Sequence, residues 1–367
     1  MSNIFKNISI ISDCPCPYYV SDCDCVDCVD CVDCVCPNIL GIQIEYKFYI
    51  AFIELASACN NNCAGCGNVF VSDKPSRKTD TANAGLSLSQ WHSLIEKLPP
   101  HVTHINITGG EPTLSPYFDE FIRMIDKKGL SFTLFTNARW NKPQEILNTL
   151  LSSKGLKGLL ISLHGKDAFT HEAFTQANGS FEHSLENIKL AVSHGIPVTL
   201  STIINRYNYF QVRSVYDLAN RMGINRLVFS RYVGLSDDEC APTDEQLKQA
   251  LADIESIQNT GAAIKLSVNI PQCFYPSSSK GCGAGRSYVT VDPWGNVRPC
   301  NHSPLILGNL LDTSLDAMID SEPLKVWHNL VSSYCRQCSE FSLCGGGCKA
   351  EAMLNHKSCD SLIRLPN

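Results

Sequence analysis

Twenty cysteines in 367 residues constrain this chain more than any other feature. Eight lie between Cys14 and Cys36, and most of the other twelve gather in two clusters far apart in the sequence. In a short secreted chain such a number builds a disulfide framework. This chain is long, and Met1 to Ile11 holds Lys6 but no apolar stretch long enough for a secretory signal. Metal or redox chemistry in the cytoplasm is the expectation, on a fold that brings distant thiols together.

Composition narrows the classes. At 44% hydrophobic and 18% charged, the chain can bury a core and is not wholly disordered. It has no run of 18 apolar residues, so no membrane span is expected. The net charge of −6 has one source: six aspartates between Asp13 and Asn38, where there is no Lys or Arg. The rest of the chain balances 30 acidic against 30 basic residues. A nucleic-acid binder should carry a basic excess, so no nucleic-acid partner is expected.

Residues 1–38 end in a Cys-Val-Asp repeat with a period of three, which suits neither a strand nor an amphipathic helix. They read as an extended, low-complexity tail. From Tyr46 to about Ser230 apolar runs alternate with helical patterns. The runs are Tyr49–Ala56, Val102–Thr108, Ser131–Thr136, Gly158–Leu163, Pro197–Ile204 and Arg226–Phe229. Several look continuous, as strands buried on both faces would. Ser115-Pro116 marks a helix start, and Phe181, Leu185, Ile188 and Val192 share a helix face with Gly195 as its cap. Such alternation implies a parallel α/β sheet, and six units imply an open, partial (β/α)6 barrel. Thr243 and Gln246 have capping-box spacing, so residues 236–265 read as a linker helix. Residues 266–367 have shorter elements and many cysteines, and read as a small unit held by metal.

Cys59-Asn-Asn-Asn-Cys63-Ala-Gly-Cys66 follows the first expected strand. Three thiolates bind a four-iron cluster and leave one iron open. A zinc knuckle with a borrowed ligand has similar spacing. The second strand decides between them. It ends in Gly109-Gly110-Glu111-Pro112, where two glycines allow close approach to the backbone and a carboxylate or carbonyl can accept from an ammonium group.

Together these motifs resemble the radical S-adenosylmethionine (SAM) enzymes, over residues from about 46 to the end. The resemblance implies that residues 46–235 form the radical SAM partial barrel. It also implies that Cys59, Cys63 and Cys66 hold a catalytic [4Fe-4S] cluster whose open iron is chelated by SAM. Gly109, Gly110 and Glu111 would meet the methionine amino group, and Ser162 in Ser162-Leu-His164-Gly165 would make a polar contact to SAM. Cleavage of the C5′–S bond would yield a 5′-deoxyadenosyl radical that abstracts hydrogen from the substrate. Thr136-Asn137 and the stretch His171 to Phe181 match more loosely. One departure is Gly65, where relatives carry an aromatic.

The C-terminal spacing runs Cys282, Gly295-Asn-Val-Arg-Pro-Cys300, Cys335-x2-Cys338-x5-Cys344-x3-Cys348, Cys359. It resembles the SPASM domain, which holds auxiliary [4Fe-4S] clusters. The resemblance implies one cluster on Cys335, Cys338, Cys344 and Cys359, and another on Cys282, Cys300 and Cys348. Cys273 is a candidate fourth ligand for the latter, and an open iron is the rival. A pair of zinc sites is the alternative from thiolate chemistry alone.

The resemblance implies an oxidoreductase that modifies a ribosomally made peptide, fed by an electron donor such as flavodoxin or ferredoxin. A leader-binding domain has no room in the 58 residues before Cys59. A separate leader-peptide-binding partner would supply it, or the substrate needs none. Asn301-His302 stands where sulfatase-maturing relatives place an aspartate base, which ranks formylglycine formation low. A maturase of a small molecule or tetrapyrrole precursor is the rival, and an iron–sulfur electron carrier or scaffold is the alternative of another class. The tail has three readings: a passive repeat, a metal-loading arm, or a built-in substrate mimic.

Overall fold

The computed structural model describes residues 48–68, 85–235, 237–278 and 281–364. The expected tail, residues 1–38, lies outside the described residues. Within them, strands and helices alternate in chain order: β1 (Ile50–Ala56), α1 (Leu88–Lys97), β2 (His104–Gly109), α2 (Phe118–Lys128), β3 (Ser131–Thr136), α3 (Pro143–Ser152), β4 (Leu156–Ser162), α4 (Ala168–Thr175), α5 (Ser180–Ser193), β5 (Val198–Ile204), α6 (Val212–Arg221), β6 (Arg226–Arg231), α7 (Asp244–Gln258) and β7 (Ala263–Ser267). Three short strands follow: β8 (Tyr288–Val291), β9 (Asn296–Arg298) and β10 (Gly308–Asn309). All belong to one sheet, ordered β10-β9-β8-β1-β2-β3-β4-β5-β6-β7. The strands from β8 and β1 through β7 pair in parallel, and β9 and β10 are antiparallel. The sheet is open, as the six-unit pattern implied.

Two differences from the sequence reading follow from local chemistry. The strand–helix repeat runs one unit further than the six expected runs. After the capping box of Thr243 and Gln246, α7 leads into β7, which pairs with β6. The strand is short and carries Lys265 between apolar residues, so it does not look like a buried parallel strand. The second difference is at Ser115-Pro116. A short turn, Pro112–Leu114, comes first, and α2 begins only at Phe118.

The strands also alternate more strictly than continuous apolar runs would. Residues paired across a parallel sheet share a face, so the register sorts them. One face carries Ala51, Ile53, Ile105, Ile107, Phe132, Leu134, Leu159, Ile161, Leu200, Leu227 and Phe229. These side chains are buried in the main hydrophobic core, with Trp91, Phe121, Leu147 and Ile188 of the helices. The other face carries Glu54, Asn106, Thr108, Thr133, Ser162, Thr199, Ser201, Arg226 and Ser230. The same face also carries Phe52, Phe135, Leu160 and Val228, and such a mixed surface suits an open barrel whose lumen is a cavity rather than a packed core.

His104 belongs to that inner face, at the start of β2. Its ring nitrogens sit 2.8 Å from the Ser131 hydroxyl, 3.1 Å from that of Thr133 and 3.2 Å from Asn106 Oδ1. Burial pushes its pKa down to about 4, and the charge of Lys157 pushes the same way. The unfolded chain binds this proton near pH 6.5 and the folded chain does not. Stability is therefore fully present above pH 6.5 and is lost as pH falls toward 4. Between pH 7 and 5 this one group should remove roughly 2 kcal/mol. Urea unfolding at both pH values should show the wild type losing that much more than His104→Gln; equal losses would exclude a buried neutral histidine here.

Candidate active site

The chain leaves β1 at Ala56 and reaches Cys59 three residues later. The end of β2 fixes this exit. Gly110 N donates to Ala56 O at 2.7 Å, and Glu111 N donates to Ala58 O at 2.8 Å. Gly109 has φ of +138°, and a methyl group on either glycine would overlap the backbone of residues 56–58. The glycine pair thus serves first to seat β2 against the cysteine loop.

Glu111 closes the same turn through its side chain. It is fully buried, and its carboxylate accepts from Thr113 N (3.3 Å), Thr113 Oγ1 (2.7 Å), Thr136 Oγ1 (2.8 Å) and Asn137 N (2.8 Å). Burial raises its pKa, and these four donors oppose the rise. The carboxylate thus ties the turn to the end of β3.

The loop itself is held from two further sides. Asn137 Nδ2 donates to Asn60 Oδ1 at 2.7 Å and lies 3.7 Å from Cys59 Sγ, while Asn61 N lies 3.4 Å from the same sulfur. Arg139 donates to the Asn60 carbonyl and, at 2.8 Å, to Asn61 Oδ1. On the α4 side, Asn62 N donates to Thr175 O at 2.9 Å and Ala64 N to Phe174 O at 2.8 Å. Cys59, Cys63 and Cys66 remain half-buried.

A cavity of about 640 Å³ is lined by these three cysteines, by Gly109 and Gly110, and by Ser162 at the end of β4. The same cavity is lined by Cys282, Cys300 and Cys348, so the structure brings two of the expected cysteine sets to one space. Burial pushes the Cys348 thiol up to about 12 and the Cys300 thiol well above its usual range, with the neighbouring thiols adding to Cys300. Such thiols give up their protons to a coordinated cation. His164 lines the cavity too. Burial pushes it to about 3, so it is neutral and accepts from Ile203 N at 3.3 Å.

A second cavity, about 350 Å³, is lined by Cys335, Cys338 and Cys344 together with Cys273. The Cys335 thiol is pushed up to about 11, by burial and then by Cys273, Cys344, Cys359 and Cys338. This corrects the expected place of Cys273: it stands with the Cys335 set, not with Cys282, Cys300 and Cys348. The turn from Pro271, with Phe274 N on Pro271 O at 2.9 Å, carries it there, and Arg364 N lies 3.3 Å from its sulfur. Cys240 joins neither set and is buried with Phe174 and Tyr232. Among the described residues no three His, Cys, Asp or Glu side chains gather tightly enough to hold a single metal ion. The cysteines stand around cavities instead.

Family models match in two places: the radical SAM superfamily over residues 53–219, and the SPASM iron–sulfur cluster-binding domain over residues 282–339. This is a radical SAM enzyme with a SPASM domain. It is 24% identical to an AdoMet-dependent heme synthase from Methanosarcina barkeri over 326 residues, 82% of this chain and 90% of the relative. It is 25% identical to a PqqA peptide cyclase from Methylorubrum extorquens over 316 residues, 82% of this chain and 80% of the relative. Its fold is similar to that of Streptococcus suis SuiB bound to precursor peptide SuiA. The TM-score is 0.69 at 17% identity, over 88% of this chain and 77% of that one. The cofactors of such an enzyme are SAM and [4Fe-4S] clusters, auxiliary ones included.

The radical SAM domain explains its own departure at Gly65. A methyl group there would overlap the ring of Tyr232, and Phe174 lies close by. Tyr232, just beyond β6 and bonded through its hydroxyl to Asp238, fills the room an aromatic at position 65 would need. No local pattern marks Tyr232, because it comes from another strand. Gly65→Ala should therefore cost about 1–3 kcal/mol in denaturant unfolding of the anaerobic protein. Adding Tyr232→Ala should recover about 1 kcal/mol relative to the summed single effects. Strict additivity would show that the two positions do not touch.

Proposed function

We propose that Cys59, Cys63 and Cys66 hold the catalytic cluster, with SAM against Gly109, Gly110 and Ser162, and that the enzyme modifies a ribosomally made peptide. The single observation that carries this is the shared cavity, which joins that loop to Cys282, Cys300 and Cys348 and continues down the inner face of the sheet. Bound there, the cluster and SAM supply reductive C5′–S cleavage and hydrogen-atom abstraction. The chain's own residues do the rest. Asn61 N and Asn137 place donors at Cys59 sulfur, which favours its thiolate. Tyr232, Phe174 and His164 wall the loop side.

Cys282, Cys300 and Cys348 would hold one auxiliary cluster, with three thiolates for four irons, which would leave a ligand position for substrate or a non-cysteine group. Four of the five cysteines Cys273, Cys335, Cys338, Cys344 and Cys359 hold the other. The peptide assignment draws on the likeness to the peptide cyclase and to the SuiB fold. An electron donor of the flavodoxin or ferredoxin class, a separate leader-binding partner and a cytoplasmic setting complete the proposal. The second reading, a tetrapyrrole substrate, is favoured by the similarity to the heme synthase.

Anaerobic reconstitution should load about twelve irons per chain, four for each of three clusters. Incubation with SAM and dithionite should release 5′-deoxyadenosine. Changing Cys59, Cys63 and Cys66 together to Ala should abolish that release while most of the remaining iron stays. Continued release by this variant would remove these cysteines from the catalytic role. Mass spectrometry of candidate peptides and of candidate tetrapyrrole precursors then separates the two substrate readings.

A further inference from the structure

Five cysteines belong to the second auxiliary site, and a [4Fe-4S] cluster takes four thiolates. One of the five is therefore spare. The cavity of about 350 Å³ separates them. Cys273, Cys335, Cys338 and Cys344 line it. These thiols stand around a space and do not meet at a point, which suits a cluster better than a single ion. Cys359, expected in this set, is half-buried and is not among the lining residues. Its neighbour Asp360 holds it to another segment by accepting from Cys348 N at 2.6 Å. Glu340 lines the cavity as well and accepts from the Ser339 hydroxyl at 3.2 Å. Thiolates are softer than carboxylates and are the ligands iron–sulfur clusters select.

Cys273 is exposed, yet its place is firmly set. Within its turn, Phe274 N and Tyr275 N donate to Pro271 O at 2.9 and 3.1 Å. The Tyr275 hydroxyl donates to Glu255 of α7 at 2.6 Å. On one side of the turn, Asn269 Nδ2 donates to Cys344 O at 2.6 Å; on the other, Gly281 N donates to Leu343 O at 2.7 Å. The chain on both sides of Cys273 is thus pinned to the loop that carries Cys344. Past Gly281 it enters the other cavity with Cys282. The sulfur itself accepts from Arg364 N at 3.3 Å, and hydrogen bonds to sulfur are among the contacts that tune a bound cluster. Arg364 is held in turn by Asp244 and lies 5.0 Å from the centre of the Phe274 ring. We infer that Cys273, Cys335, Cys338 and Cys344 are the four ligands of the second auxiliary cluster and that Cys359 is the spare thiol. This rests on the iron–sulfur reading above and changes one member of the expected set. Cys273 follows β7, the edge strand of the sheet, so the cluster would join that edge to the segment from Cys335 to Cys344.

The test is protection from alkylation, which needs no turnover. The full chain is reconstituted without oxygen, treated with iodoacetamide and mapped by peptide mass spectrometry. An exposed free thiol reacts readily, and a cluster ligand does not. Cys273 in the loaded wild type should react at least about tenfold more slowly than in the same protein stripped of iron by a chelator. In Cys359→Ala that protection should persist, and iron should stay at about twelve per chain. Cys273→Ala should fall to about eight. If Cys273→Ala does not fold, the wild-type labelling and Cys359→Ala still decide. Fast alkylation of Cys273 in fully loaded wild type overturns the assignment. So does full iron in Cys273→Ala, and so does loss of four irons by Cys359→Ala, whatever Cys273→Ala does. A wild type that loads only about four irons overturns the iron–sulfur reading of the C-terminal unit itself. Release of 5′-deoxyadenosine reports on the Cys59, Cys63 and Cys66 cluster separately from all of these.

Discussion

The site depends on one buried carboxylate. Asp360 accepts from Arg231 Nη1 at 2.6 Å and Nη2 at 3.1 Å, from Cys348 N at 2.6 Å and from Leu362 N at 2.9 Å. Arg231 ends β6, and it also donates to Asn269 O at 3.1 Å, while Asn269 Nδ2 donates to Cys344 O at 2.6 Å. A single ion pair therefore places Cys344, Cys348 and, next to Asp360, Cys359 relative to the sheet. Burial works against the guanidinium charge, and Asp360 outweighs it. A buried pair contributes little net stability against an apolar alternative, yet losing one partner costs about 3–5 kcal/mol. Its value here is that it allows one placement only.

A second pair does the same from below. Glu54 of β1 is bonded to Arg298 of β9, which donates in turn to Asn301 O at 2.9 Å and Ser303 O at 3.1 Å. Asn301 returns to Glu54 Oε1 at 3.3 Å. Burial pushes Glu54 up to about 7, and Arg298 opposes the rise. The loop that carries Cys300 is thereby fixed over β1, and His302 packs so closely on Gly67 that no side chain fits there. The two cysteine sets share a cavity because both ends of the C-terminal unit are bolted to the strands that carry the first set.

Much of this was legible locally. Strand runs, capping boxes and the cysteine spacings are short-range patterns, and they marked all six expected strands and the family. What was hidden is long-range. Arg231 and Asp360 are 129 residues apart, and Glu54 and Arg298 are 244 apart, with no pattern that couples them. Cys273, only nine residues before Cys282 in the sequence, was expected with that set, and its turn places it by Cys335 instead. Tyr232 answers the missing aromatic at Gly65 from a different strand. Glu111 belonged to a correctly read motif, but a motif does not say whether a carboxylate faces a ligand or its own turn.

The inner face explains why the ion pairs must stand where they do. In a closed barrel, side chains fill the lumen and their burial holds the strands together. Here the lumen is lined by hydroxyls, amides and cations as well as by Phe52, Phe135, Leu160 and Val228, and it is left open rather than filled. The outer face, packed on the helices, and inner-face contacts such as Phe52 on Phe135 and Tyr288 hold the strands together, but they do not set the curvature needed to keep a cavity of about 640 Å³. The rim has to be fixed by directional contacts instead. Strand β8 extends the sheet beyond β1, Glu54–Arg298 anchors the loop above it, and Arg231–Asp360 ties the same unit to β6 near the far edge. The C-terminal unit thus spans the gap between sheet edges that the open topology leaves, and the cysteines it carries are part of the brace that keeps the cavity open.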